Sequence, residues 1–556
     1  MRCDITELER GSHLSADVCV IGAGIAGIAV TRQLMNSGLR VILLESGGTD
    51  YDRAIQDLAA GESVGLPYYP LAETRLRFFG GTSAIWGGRI AEMNEIDFEP
   101  RPWVEHSGWP VSHQELRPWF AEARRMFGIE PIGVDERLWP LIGAAVPAFD
   151  PHVVRTAFWH FDLLPGRFGL PFCEDLVTSP DMTVVTRATV THLQARHDDG
   201  SIAQVSIADP GGCRATVSAR RFVLAAGGLE NARLLLASND VHPRGLGNEH
   251  DLVGRFFMEH PHARGGHVHT TASWRLLRLY SLKHLTTRQA MVAPCFRPGE
   301  SLQRRAGIRN TSFALACRPH PGKQRSLALR AYRLAKHRLD PTKGNRRLWQ
   351  ALRHAARELS GLTDPLRPWL LTRTGRCGIY AVVRAEQAPN LHSRVYLSGE
   401  PDALGVPRLV LDWRLCDIDK RSVRVTLQAF DAELRRLGLG YLKLDPWLDD
   451  PGLPWQFDPL ISNHPIGGYH HMGTTRMADH PSRGVVDGNG RVFGLSNLYV
   501  AGSSVFATGG WANPTLTLAT LSLRLGEHLR RAGQQARVPE LSTATMNRQP
   551  ETALGA

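Results

Sequence analysis

Residues 17–45 read DVCVIGAGIAGIAVTRQLMNSGLRVILLE: an apolar run, a glycine turn, a stretch with helical spacing, and a second apolar run that closes on an acid. This order specifies a βαβ unit and commits the chain to a parallel, doubly wound sheet. Gly22 permits the tight turn, Gly24 lets the backbone approach a pyrophosphate, and Gly27 allows close packing of helix on strand. The free amides at the helix start suit an anion, and Glu45 suits a pair of ribose hydroxyls. A carboxylate at position 45 would repel a 2′-phosphate, so NADP is disfavoured, while FAD and NAD fit this unit equally well.

Further segments extend the same sheet. Residues 221–238 (RFVLAAGGLENARLLLAS) read as a buried strand, a glycine turn and an apolar helix, two hundred residues after the first unit. Residues 498–504 (LYVAGSS) are another strand running into a turn, followed by a helical pattern from Pro514, a residue suited to a first helical turn. In FGGTSAIWGGR (residues 79–89), Gly81 and Gly87 let the backbone lie flat against a ligand, Thr82 and Ser83 offer hydroxyls to phosphate or ring oxygens, and Trp86 exceeds what a plain turn needs. Before the last strand stands YHHMGT (residues 469–474). Adjacent histidines on extended backbone face opposite sides, so only one of His470 and His471 serves a given site.

Composition sets the outer bounds. At 556 residues, 43% of them hydrophobic, the chain is long enough for two interwoven domains. No apolar run reaches the roughly 20 residues of a bilayer span, and the opening residues are too polar for a secretory leader, which leads us to expect a cytoplasmic chain. The eight cysteines include no CxxC pair and are read as reduced, mostly buried thiols. No metal site is expected.

The net charge of +11 is concentrated: residues 319–376 carry fourteen Lys or Arg against Asp340, Glu358 and Asp364, so the remainder is balanced. Within this segment Leu348, Leu352, Ala355, Leu359 and Leu362 recur at helical spacing, with Arg346, Arg347, Arg353 and Arg357 largely on other faces. We expect this basic amphipathic helix to pack its apolar face on its own domain, with an anionic membrane surface or an acidic partner as the alternative. Nucleic acid is disfavoured because aromatic stacking residues are not interleaved with the charges as single-strand binding requires.

Taken together, GAGIAG with Glu45, GGTSAIWGG, LAAGGLENARLLLAS, GRFFMEHP (residues 254–261), APNLHSRVYLS (residues 388–398), YHHMGTTRM, VVDGNGRVFGLSNLYVAGSSVF and WANPTLTLATLSLRL make the chain resemble the glucose-methanol-choline (GMC) FAD-dependent oxidoreductases over residues 16–532. The motif style is closest to the branch of pyranose oxidases and bacterial sugar and polyol dehydrogenases. The resemblance implies FAD, held by Gly22, Gly24, Gly27, Glu45, Gly81, Thr82, Ser83, Trp86, Gly87, Ala226, Gly502, Ser503, Pro514 and Thr515, with the backbone of Val190 at the adenine. It implies an α/β Rossmann-like FAD domain of residues 15–109, 176–264 and 456–535. Residues 110–175 and 265–455 would form an α+β substrate domain with an antiparallel sheet, and residues 536–556 a disordered tail.

In that family a histidine of the closing motif faces the flavin; the match falls on His470, and Asn513 matches the second site residue some forty positions on. His471, His464 and His260 are given structural readings, and Trp159 and Trp274 are read as core. Ile85 stands where members with covalent flavin carry histidine, so FAD is expected to be dissociable. The expected reaction is oxidation of a primary or secondary alcohol on a sugar, polyol or aminocyclitol-like molecule. His470 is the base, Asn513 orients the substrate oxygen, and the helix after Pro514 adds positive potential beside flavin N1 and O2. Oxygen, a quinone or a protein remain open as electron acceptor. The alternatives are a non-redox flavin-containing lyase and a flavin-binding partner subunit of a membrane-associated complex.

Overall fold

The computed structural model describes residues 1–129, 133, 135–164, 166–320, 339–450, 452–457 and 469–535. Its first sheet grows from the glycine-turn unit. Strand His13–Ile21 has Val41–Leu44 on one side and Arg214–Leu224 on the other, all parallel, with Cys19 opposite Ile42 and Phe222. Met182–Thr186 and Arg2–Asp4 continue the parallel order outward. Arg214–Leu224 is long enough to be shared: its first half pairs antiparallel with Ile202–Ala208, and its end pairs parallel with Leu498–Val500. Segments nearly five hundred residues apart thereby meet on one sheet. Val41–Leu44 and the buried ends of its neighbours, Val18–Ile21 and Phe222–Leu224, are apolar without interruption, as a sheet covered on both faces requires.

Helix Ile25–Leu34 crosses between the first two strands and packs against the C-terminal helix Thr515–Gln535. Gly526 makes this approach possible, because a Cβ there would lie 2.6 Å from Cβ of Gln33.

The second sheet is antiparallel, in the order Tyr441–Leu444, His262–His269, Cys377–Arg384, Ser312–Pro319, Met291–Pro298, Val154–Phe161, Arg89–Ile90. Helix Asp417–Arg436 covers one face, where Phe430 meets Phe296 and Phe313 at 4.7 and 4.9 Å between ring centres. A third, small sheet joins Pro407–Asp412 to both Arg394–Pro401 and Gly61–Ser63, so residues on either side of the expected domain division share one ladder.

The basic segment departs from expectation. Helix Lys343–Thr363 forms, but Leu348, Leu352, Leu359 and Leu362 are 51, 48, 66 and 84% exposed, and Leu366 and Leu370 of the following helix are also exposed. Its apolar face therefore does not pack on its own domain. Its first turn is tied down: Arg346 pairs with Asp50 at 2.8 Å and lies over the ring of Phe78. Residues 321–338 of this segment, His464 and the expected tail 536–556 lie outside the described residues. Trp274 is also not core: it is 41% exposed, its ring edge-on to Trp369. All eight cysteines are free, three of them buried and five half-buried.

Candidate active site

A cleft runs between the two large sheets in two connected parts. The inner part, of about 260 Å³, is lined by Gly22, Gly24, Glu45, Gly81, Thr82, Ser83, Val190, Ala226, Gly502 and Ser503. The outer part, of about 980 Å³, is lined by Trp86, Gly87, His470, Asn513, Pro514 and Thr515, and again by Thr82, Ser83 and Ser503. Gly27 lines neither, and its role is packing: a Cβ there would fall 1.8 Å from the carbonyl oxygen of Gly22.

The inner part has the form a dinucleotide needs. Gly22 holds φ +108°, and a Cβ there would meet the Ala225 carbonyl oxygen at 2.6 Å. Gly24 begins the helix with no side-chain cap and nothing within 4 Å of a Cβ, so the first amides stand open to an anion. Each oxygen of Glu45 accepts one backbone N–H, from Ala23 and Gly47 at 2.9 Å, which leaves lone pairs for ribose hydroxyls. Burial pushes its carboxyl above the usual range. One detail differs from expectation: the Ser83 hydroxyl donates to the Gly80 carbonyl at 2.6 Å, so toward a ligand it can only accept.

In the outer part the two neighbouring histidines separate, helped by Tyr469, whose φ of +59° kinks the backbone between them and the preceding chain. His471 is buried on the inner side, its Nε2 3.0 Å from the Tyr68 hydroxyl. Burial, then Arg75, lowers its pKa to about 3. His470 lies on the outer side in a chain of hydrogen bonds that determines where its proton sits. The Gly510 carbonyl can only accept, so Nε2 of His260, 2.9 Å away, carries a hydrogen. Burial lowers the pKa of His260 to about 4, so it is neutral and its Nδ1 is an acceptor. His470 Nδ1 lies 2.8 Å from that atom and donates to it. Nε2 of His470 is therefore the bare nitrogen, 3.1 Å from the Asn513 amide nitrogen. Burial and then His260 and His262 hold the His470 imidazole well below the usual histidine range.

Behind this pair, Glu259 accepts the backbone N–H of His470 at 2.7 Å and of His260 at 2.9 Å, together with the Tyr68 hydroxyl at 3.0 Å. Burial raises its pKa to about 7. The structural reading of His260 is thus corrected: it contacts His470 directly. The GRFFMEHP motif contained both Glu259 and His260, but nothing in the local sequence says that this segment runs antiparallel to residues 470–472, as the Met258–Met472 bridge makes it do. Two further residues of the outer cleft, Arg89 and Arg384, have no local signature in the sequence.

Known proteins resemble the chain over most of its length. Residues 17–250 match a family model described as FAD dependent oxidoreductase, and residues 389–522 one described as GMC oxidoreductase. The fructose dehydrogenase large subunit of Gluconobacter japonicus is 23% identical, over 92% of this chain and 97% of that protein. Paromamine 6'-oxidase of Streptomyces fradiae is 24% identical, over 91% and 90%. Among solved structures, pyridoxine 4-oxidase from Mesorbium loti shares the fold with a TM-score of 0.54 at 15% identity, covering 92% of this chain and 98% of its own. Fold, cleft and the two family-model matches converge on an FAD-dependent oxidoreductase that carries a GMC oxidoreductase domain over residues 389–522.

Proposed function

We propose that this enzyme oxidises a primary or secondary alcohol on a sugar, polyol or aminocyclitol-like molecule, with His470 as the base. The observation that carries the reading is the bare Nε2 of His470, turned toward Asn513 in the outer cleft and adjoining a cradle suited to FAD. Bound FAD supplies the hydride acceptor. The glycine turn and the uncapped helix start would hold its pyrophosphate, Glu45 its ribose, and Val190 its adenine end, with Trp86, Gly87 and the Pro514–Thr515 helix start toward the ring. With Ile85 before Trp86, the cofactor is held without a covalent bond.

The protein's own part is to manage one proton and one orientation. His470 Nε2 receives the hydroxyl proton while His260, through Nδ1, keeps the opposite nitrogen protonated. The Asn513 amide cannot take a proton; it donates to the substrate oxygen and sets the carbinol carbon in line. The relatives named above, a fructose dehydrogenase subunit and a paromamine oxidase, support a polyhydroxylated substrate. Anaerobic mixing of the FAD-loaded enzyme with sugars, polyols and aminocyclitols tests this. At least one class is expected to bleach the oxidised flavin band, and bleaching by none would end the reading. Reoxidation by air or by a soluble quinone then assigns the electron acceptor, and release of yellow colour on denaturation checks the non-covalent bond.

The exposed leucines of helix Lys343–Thr363 favour a second, separate reading, that this face rests on an anionic bilayer surface. An aliphatic stripe in a segment of net +11 has the two components such binding needs. Co-sedimentation with phosphatidylglycerol vesicles but not phosphatidylcholine vesicles, lost in L359D/L362D, is the expected result. Equal recovery with both lipids, or with the variant, would contradict it.

A further inference from the structure

The outer cleft contains two cations that no carboxylate neutralises among the described residues. Arg89 leaves the edge strand of the second sheet and Arg384 ends the strand Cys377–Arg384; their guanidinium carbons lie 4.6 and 5.0 Å from the centre of the same ring, that of Trp159. Trp159 is 1% exposed, so the ring that both guanidiniums approach is buried. Among the described residues no carboxylate pairs with either guanidinium, and the buried Nε of Arg89 has no hydrogen-bond partner. Beside them is His262, paired across the strands with Arg384, 3% exposed, with neither ring nitrogen hydrogen-bonded. All three line the outer cleft with His470 and Asn513, and none lines the inner part that fits the pyrophosphate.

Two like charges on one ring, largely enclosed by protein, are costly unless an anion reaches them. Burial lowers the pKa of Arg89 to about 10, and burial followed by repulsion from Arg89 holds Arg384 well below the usual guanidinium range. A planar or tetrahedral oxyanion would relieve both, since guanidinium matches carboxylate and phosphate geometry. His262 then has an acceptor for its N–H.

We propose that Arg89, Arg384 and His262 form an anion subsite and that the alcohol oxidised at His470 carries a carboxylate or phosphate group. This rests on the functional reading above and narrows its substrate class to acidic polyols, such as sugar acids or sugar phosphates. The cleft's size accommodates both ends of such a molecule, the anion on the Trp159 side and the carbinol at His470.

The test uses matched probes: gluconate and glucose 6-phosphate against the neutral glucitol and glucose, added to the FAD-loaded enzyme and to Arg384→Gln. Calorimetric titration reads binding and anaerobic flavin bleaching reads reaction. We expect at least one of the two acids to bind at least tenfold more tightly than its neutral counterpart, gluconate marking a carboxylate site and glucose 6-phosphate a phosphate site. Arg384→Gln should abolish that preference, leave FAD content unchanged, and raise the Tm of the unliganded protein because one of two repelling charges is gone. Preference for the neutral probes, an acid preference that survives Arg384→Gln, or loss of FAD from that variant would overturn the subsite. Tight, Arg384-dependent binding of an acid with no flavin bleaching by any alcohol would instead overturn the oxidation reading and leave the subsite standing.

Discussion

Arg384 and Glu386 are two residues apart, yet they belong to opposite electrostatic arrangements. Glu386 lies in a fully buried network: Arg101 donates to both its oxygens at 2.6 and 3.1 Å, and Arg309 approaches it at 2.9 Å and Asp419 at 3.5 Å. Burial alone would raise the Glu386 carboxyl, but Arg101 and Arg309 hold it far below the usual range. The second region, around Arg89 and Arg384, has the cations and no such carboxylate among the described residues. Buried arginines are thus neutralised by a shared carboxylate around Glu386, whereas the two that flank Trp159 face the cleft with none among the described residues. A charge left without an internal partner at the substrate wall is a statement about what enters there.

The largest effect should come from breaking the paired region. Glu386→Gln leaves two guanidiniums buried without their shared counter-charge and should cost about 3–5 kcal/mol of stability; a thermal or urea melt would register it. Arg384→Gln should move the melt the other way, and similar losses from both variants would erase the distinction between the regions.

Next in size is the catalytic side of the cleft. His470→Ala should slow flavin reduction by about 10² to 10⁴ with FAD content and fold intact, as read by anaerobic stopped-flow absorbance. Behind it, His260→Leu removes the acceptor that orients His470. It should slow the same step by about tenfold to a hundredfold, the scale of other outer-sphere orienting groups. His260→Gln, whose side-chain carbonyl can accept from His470 Nδ1, should recover part of the loss. A His260→Leu enzyme with an unchanged rate and pH profile would reduce His260 to packing.

The smallest effects are those of pH. With the His470 imidazole held below its ordinary range, kcat/KM should stay level through neutral pH and fall only on the acid side of an ordinary histidine. Stability follows the same sign. His260 and His471, with folded pKa values of about 4 and 3, resist protons that the unfolded chain accepts from about pH 6.5 downward, so their contribution to stability should decline as pH falls through that interval. Glu259, with its pKa raised to about 7, contributes the opposite slope, so the histidine contribution is read as the difference between wild-type and His471→Gln melts from pH 7 to 5, and a difference independent of pH would contradict the neutral, buried state of His471.

What the sequence made legible was what depends on local backbone chemistry. Gly22, Gly27 and Glu45 have to be those residues because a tight turn, a close approach and a strand end require them within thirty positions. His470 and Asn513 were readable through motif order. His260 was not, because its meaning comes from an antiparallel crossing of segments 210 residues apart. Arg89 and Arg384 were hidden for the same reason: whether a cation has a partner depends on long-range packing, and periodicity is silent on it. The basic helix shows the limit from the other side, since spacing identified an apolar face correctly but could not say whether anything covers it.

The most direct test of the account is single-turnover flavin reduction in wild-type and His470→Ala enzyme, mixed anaerobically with a saturating polyol or sugar acid. Rapid bleaching is expected in the first and a rate lower by at least about a hundredfold in the second, with equal FAD occupancy. Equal rates in both proteins would remove His470 from the chemistry and contradict the site as described.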